Sequence, residues 1–250
     1  MPHFREHIGP SEKPRPLFDE AQPLPVAPDS NAAYAELTCF TNFSFLRGAS
    51  HSSELVARAK ELGLHALAIT DLHTLAGIVR AHETAKELGV KLLVGTRVEP
   101  RDCPPLCLYA MNRQGYARLC RLLTLGKRRA AKGACELYLK DISGFSADLQ
   151  AVVMPNPLES AAALESLKAI FGERLSLGVS HHLEPAHGQR LQTLLQLARD
   201  SAIAPVAVND VHMHCAQRKP LHDVLTSIRH LTSVQQAAGL LFPNAERRLK

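Results

Sequence analysis

The stretch Leu64–Gly77, LHALAITDLHTLAG, decides the fold. Ala66–Thr70 is a short apolar run. It turns polar at Asp71 and becomes a helical pattern from Thr74. An apolar run of that length, ended by an acid and followed by a helix start, predicts a buried parallel strand feeding a βα loop. In parallel α/β folds, chemistry sits at the carboxyl ends of strands, where Asp71 would stand. A second stretch of this kind is Ala204–His214, APVAVNDVHMH. Its buried run is Pro205–Val208 and its polar tip carries Asn209, Asp210 and His212.

Working outward, Tyr34–Phe40 predicts the first strand and Thr41–Ser50 a loop closing on Gly48. Ser53 can cap a helix that buries Leu55, Val56, Ala59 and Leu62 and stops at Gly63. The helix after Asp71 runs to Leu88, with Leu75, Ile78, Val79, His82 and Ala85 as its inner stripe. Strands follow at Lys91–Val94, Leu106–Met111, Ala151–Met154, Leu175–Val179 and Ala204–Val208. Helices are expected at about 113–131, 158–171, 188–200 and 220–229, and the chain stops at Lys250 inside a further helical pattern. The strand–helix alternation predicts a parallel sheet with right-handed crossovers. About seven units, with no glycine-rich dinucleotide fingerprint, favour a (β/α) barrel over an open sheet.

The chain has 250 residues, 46% of them hydrophobic, enough for one large core. A net charge of +5 permits a nucleic-acid partner without demanding one. The absence of Trp leaves few platforms for stacking single-stranded bases. The six cysteines form no CxxC pair, which argues against a zinc knuckle and for free thiols in a reducing cytoplasm. No apolar run reaches membrane-spanning length, so no membrane partner is expected. Residues 1–33 are rich in aperiodic proline and read as a flexible leader.

Asp71, the Asp210–His212 pair and His181/His182 would meet at one barrel mouth. Carboxylates and imidazoles at strand ends form the ligand set of a hydrolytic metal site. Singly, each has a plainer reading: Asp71 can cap the following helix, and His212 can be a hydrogen-bonded rim residue. On the 113–131 helix, Arg121, Arg128, Arg129 and Lys132 face largely outward. They are candidates for DNA contact or a solvated face.

The segments TNFSFLRGAS, ELVARAKELGLHALAITDLHTLAGIVRAH, LLVGTRV, NRQGYARLCRLLT, NDVHMH, LHDVLTSIR and PNAERRLK occur in that order. Together they resemble the N-terminal PHP (polymerase and histidinol phosphatase) domain of bacterial C-family DNA polymerases, most of all the error-prone, translesion type. The resemblance covers residue 34 to the end. It implies a PHP-type distorted (β/α)7 barrel, akin to metal-dependent hydrolases, over 34–242, with 243–250 starting the connection to a polymerase region. It also implies metals held by histidines and acids at the strand ends. Here most of those positions differ. The HxH of the first strand falls on Thr38 and Phe40, and the acid before the loop glycine on Arg47. The histidine after the second-strand Asp falls on Leu72, with His73 one place late, and the acid of the GxE turn on Arg97. Asp71, Asp210 and His212 remain.

Phe40 offers no lone pair, and an arginine cannot deprotonate to make room for a dication. Each like-charge pair at 4 Å would cost about 1–4 kcal/mol. The hydrolase site is therefore expected to be degenerate, with at most weak residual zinc or manganese, and Arg47 or Arg97 is expected to pair with Asp71 or Asp210. The family resemblance implies a parent DNA-directed DNA polymerase that uses Mg for translesion synthesis and repair. No residue of this chain would carry nucleotidyl transfer. The domain would serve as a scaffold or docking surface, with DNA and replication or mutasome proteins as partners. The alternative is an active PHP phosphoesterase, either a proofreading 3'-5' exonuclease or a small-phosphate phosphatase.

Overall fold

Seven strands run in chain order across one curled sheet: β1 (Ala35–Glu36), β2 (Ala66–Ile69), β3 (Leu92–Val98), β4 (Leu106–Ala110), β5 (Leu149–Val153), β6 (Leu175–Val179) and β7 (Ala204–Ala207). The structure is a computed structural model that describes residues 33–156, 159–184 and 187–250. The proline-rich leader expected over 1–33 lies outside the described residues but for Ala33. Beyond the sheet strands, Cys39 pairs in parallel with Val211. The Phe40 amide donates to the Val211 carbonyl at 2.8 Å and the Val211 amide to the Thr38 carbonyl at 2.7 Å. The sheet therefore curls until its first and last strands meet at their carboxyl ends.

The helices are α1 (Ser52–Glu61), α2 (Ile78–Leu88), α3 (Arg113–Arg129), α4 (Leu139–Phe145), α5 (Ala161–Phe171), α6 (His187–Ser201) and α7 (Lys219–Arg229). The period-2 alternation of the strands sorts side chains between them and the inner face of the sheet. In β4, Leu106 and Leu108 join the large helix-side core, while Cys107 and Tyr109 face the inner cluster. In β2, Leu67 and Ile69 pack with α1 and α2, and Ala68 lies on the inner side.

Several expectations need correction. The sheet is not wholly parallel, because β4 runs antiparallel to both β3 and β5. The link 99–105 is too short for the dozen or so residues that a parallel crossover needs. The first strand is confined to Ala35–Glu36, because Thr38–Phe40 bond across to the other edge. Helix α2 starts at Ile78 rather than Thr74, and it buries Ala81 while Val79 and His82 are exposed. Tyr116 and Leu125 lie on the exposed side of α3. Helix α4 has no counterpart in the sequence reading; Asp141 starts it by accepting the Tyr138 amide at 3.0 Å.

The expected final helix is absent. Residues 241–250 form an irregular strap of bends and turns that bonds outward to the segment after β7. Asn209 Nδ2 donates to the carbonyls of Glu246 (2.8 Å) and Arg248 (2.6 Å). The Leu249 amide donates to the Met213 carbonyl at 3.0 Å, and the Leu249 side chain is buried. Backbone groups satisfied this way are not available to a helix.

Candidate functional site

The mouth of the barrel holds two acids at two strand tips. Asp71 follows β2 and is buried. Its Oδ1 accepts the Thr41 amide (2.8 Å) and the Ser44 hydroxyl (2.6 Å), and its Oδ2 accepts the Thr41 hydroxyl (2.7 Å). Those hydroxyls accept in turn from the amides of Phe43 and Leu72. The loop 41–50 thus folds around Asp71. Burial pushes the Asp71 carboxyl up, and the Ser44 and Thr41 bonds pull against that. A Cβ at Gly77 would collide with Asp71 Oδ2 and come within 2.9 Å of Thr41 Oγ1, so the start of α2 needs a glycine there.

Asp210 follows β7 and sits between two guanidiniums. Arg97 Nη1 donates to its Oδ1 at 3.1 Å, and Arg247 Nη1 from the strap donates to its Oδ2. Arg97 shares the inner face of β3 with Leu93, by alternation. Burial would raise the Asp210 carboxyl, but His212, Arg97 and Arg247 together hold it well below the usual carboxylate range. The backbone at Asp210 is left-handed, with φ 46°. Its amide donates to Thr38 Oγ1 (2.9 Å), and that hydroxyl donates to Glu36 Oε1 (2.9 Å).

His212 Nδ1 lies 3.0 Å from the Arg47 carbonyl, which can only accept, so Nδ1 bears the proton. Its Nε2 faces Asp210 Oδ2 at 3.8 Å. Phe40, His222 and Phe242 surround the ring edge-on at 4.8, 5.2 and 5.0 Å. His222 stacks on Phe242 at 4.7 Å, and Arg247 lies over the Phe242 ring at 4.3 Å. Both His222 ring nitrogens are sealed from solvent without a hydrogen-bond partner among the described residues.

The other candidates separate from this cluster. Arg97 reaches Asp210, whereas Arg47 forms no ion pair with either acid. Leu72 bridges β3 through Arg97. His73 turns away, its Nε2 accepting the Glu99 amide at 3.0 Å. His182 Nε2 bonds to the Asn209 carbonyl at 2.9 Å and thereby braces the β7 tip from behind, while His181 is exposed. Of the basic candidates on and after α3, Arg129 is committed to Asp141 at 2.6 and 3.1 Å, while Arg121, Arg128 and, past the helix end, Lys132 are exposed.

Four residues at the mouth went unread in the sequence: Arg247, Phe242, His222 and Glu36. Glu36 is fully buried and accepts from Tyr34 Oη and from the amides of Thr38 and Asn209. The β1 alternation that puts Glu36 two places before Thr38 could have flagged it. Nothing local marks Arg247, which acquires its role only when the strap crosses the mouth.

Metal ligands must offer free lone pairs. Both Asp210 oxygens are taken by guanidiniums and both Asp71 oxygens by protein donors, and Phe40 closes the space beside His212. No group of three or more His, Cys, Asp or Glu among the described residues could hold a metal ion. The side chains present do not fit a metal cluster.

Comparison with known proteins accords with this architecture. The PHP domain family matches residues 36–182. An error-prone DNA polymerase of Pseudomonas aeruginosa is 46% identical over 219 residues, covering 88% of this chain and 21% of that protein. One from Methylococcus capsulatus is 42% identical over 226 residues, covering 90% of this chain and 22% of its own length. The chain thus spans about a fifth of the length of the curated relatives it matches. A metal-dependent phosphoesterase of Bifidobacterium adolescentis superposes with a TM-score of 0.50 at 20% identity, over 74% of this chain and 89% of that one. That likeness speaks for the fold alone. With a curled seven-stranded sheet and a family match over more than half of its length, the chain belongs to the PHP domain family.

Proposed function

We propose that this chain is the PHP portion of an error-prone DNA-directed DNA polymerase acting in damage-induced translesion synthesis and repair. Within it, the barrel mouth serves as a scaffold rather than a hydrolytic centre. The single observation that carries the scaffold reading is the Arg97–Asp210–Arg247 triad: two fixed positive charges occupy both oxygens of the acid a metal would need. The polymerase reading rests on the relatives' name and on their 42–46% identity. Nucleotidyl transfer, with its Mg, belongs to parts of the parent protein outside these 250 residues. DNA is the partner through the parent, and Arg121 and Arg128 on α3, with Lys132 just past its end, are the contact candidates left after Arg129 is committed to Asp141. Replication or mutasome proteins are the further partners in this reading. A cytoplasmic setting suits the six free cysteines.

The test is metal content after dialysis against zinc and manganese, paired with a phosphodiesterase assay. The expected result is neither bound metal nor hydrolysis. Stoichiometric metal lost on Asp210→Ala or His212→Ala would overturn the scaffold reading in favour of an active phosphoesterase. For the polymerase reading, lesion-containing primer–template should be extended by the parent protein and not by this chain alone.

A further inference from the structure

Beside the mouth lies a surface that the scaffold reading leaves unused. The turn between β1 and α1 presents Phe43 and Phe45, the latter 81% exposed. Helix α7 presents Val224 and Ile228, spaced i, i+4, and Leu231 follows just past its end, with Ile228 at 51% and Leu231 at 95% exposure. That spacing is one apolar stripe of a helix, turned outward instead of toward a core. Arg229 Nη1 reaches the Leu46 carbonyl at 3.5 Å, so the turn and the end of α7 form a continuous surface. Contiguous apolar exposure of this kind marks an interaction site.

Two features show that the exposure is built in. Leu46 and Leu231 both adopt left-handed backbone, with φ 58° and 54°. Leu231 comes just past the end of α7, where glycine would adopt that geometry without strain. Leu231 keeps that backbone with its side chain almost wholly in solvent. The second feature is charge. Residues 41–50 and 224–242 carry two arginines, Arg47 and Arg229, and no carboxylate. Arg47 has no ion pair among the described residues, and the nearby Glu99 lies 3.5 Å from Arg97. Burial lowers the Arg229 guanidinium, the neighbouring Arg47 charge lowers it further, and the Glu99 carboxylate offsets this in part.

We propose that the surface formed by Phe43, Phe45, Val224, Ile228 and Leu231 docks an amphipathic helix of a partner protein, its apolar stripe flanked by carboxylates that pair with Arg47 and Arg229. The helix lies along α7 with its leucine-type side chains between Ile228 and Leu231 and the Phe45 ring. Its acids relieve the crowding of the two guanidiniums. This goes beyond the polymerase reading and does not depend on it, because the test measures binding and not activity.

The experiment is fluorescence anisotropy with the 250-residue chain and a labelled designed helix about five turns long, carrying one leucine stripe and glutamate flanks. The same helix with lysine flanks is the control. The glutamate helix is expected to bind at least about tenfold more tightly than the lysine helix, with an advantage that shrinks in high salt. Ile228→Ser with Leu231→Ser should abolish binding, and Arg47→Glu with Arg229→Glu should reverse the preference. Thermal melts of these surface variants check that each is folded. Absent binding, equal affinity for both helices, or binding unaffected by the serine pair would overturn the proposal. So would a self-association lost in the serine pair, which would make a second copy the occupant.

Discussion

The two acids at the mouth have opposite surroundings. Asp71 sits in a pocket of hydroxyls and amides that carries no charge, and its carboxyl is raised. Asp210 sits between Arg97 and Arg247, and its carboxyl is held well down. Both stand at carboxyl ends of strands in the same sheet. The difference shows that two strand-tip acids of one sheet can be satisfied in two unlike ways. At the β2 tip, local hydroxyls from loop 41–50 take up the lone pairs of the acid. At the β7 tip, guanidiniums from β3 and from the strap take up both oxygens of the acid. The first arrangement orders a loop, and the second ties the strap to the barrel.

Substitutions should separate the two. Asp210→Asn keeps the shape and tolerates the left-handed backbone, but it strands two largely buried guanidiniums, 17% and 18% exposed. Removing one partner of a buried ion pair costs about 3–5 kcal/mol. For a domain of this size that is roughly a 10 °C drop in Tm by calorimetry. The amides of the strap, 241–250, should lose hydrogen-exchange protection first. A loss below about 1 kcal/mol would mean the triad is only a surface contact. Asp71→Asn should cost less, about 1.5–3 kcal/mol, because hydroxyl donors can turn while charge-assisted bonds are lost. Exchange protection should fall in loop 41–50 and stay intact in the strap. A smaller test of the same pocket is Gly77→Ala, whose methyl meets Asp71 Oδ2. Overpacking of that kind costs about 1–3 kcal/mol, read from the denaturant midpoint.

The Asp71 side of this contrast was far more legible in the sequence than the Asp210 side. The apolar run ALAI, the acid after it and the loop it meets are local signals, and periodicity exposes them. That Arg47 or Arg97 would pair with Asp71 or Asp210 followed from the resemblance, which puts guanidiniums at ligand positions; only the Arg97–Asp210 pairing forms. Arg247 could not be foreseen, because its segment reads as a helix until the outward bonds of Asn209 claim the backbone. The reversed β4 is written in the short link 99–105, whose length excludes a parallel crossover although the strand–helix alternation around it suggests one. The outward stripe of α7 was hidden for another reason. Amphipathic periodicity reports that a helix has an apolar face, not whether its own chain covers that face.

Acid titration sharpens the contrast further. Asp210 is depressed in the folded state, so its contribution is complete above the ordinary carboxylate range of about 4 and is lost as pH falls through its folded value. Asp71 is raised, so its contribution has the opposite sign and fades as pH rises through its folded value. His222 acts earlier on the acid side. Burial first, then the nearby His212 and cations, lower it to about 3. The unfolded chain takes up a proton near pH 6.5, and the folded chain resists until about 3. Stability is therefore drained by His222 across that interval as pH falls. His222→Phe removes the titration and two buried nitrogens that have no partner, while keeping an aromatic ring stacked on Phe242. At neutral pH the variant should be about 1 kcal/mol more stable, because an unpaired buried polar group is costly. Below pH 6.5 its stability should fall less steeply than the parent's, the remaining slope coming from the lowered His73 and His214 and, further down, from Asp210, Asp141 and Glu246. A variant less stable than the parent at every pH would show that the imidazole nitrogens have a partner in solution. In that case the ring cluster over the mouth would have to be read as a polar site and not as a plug.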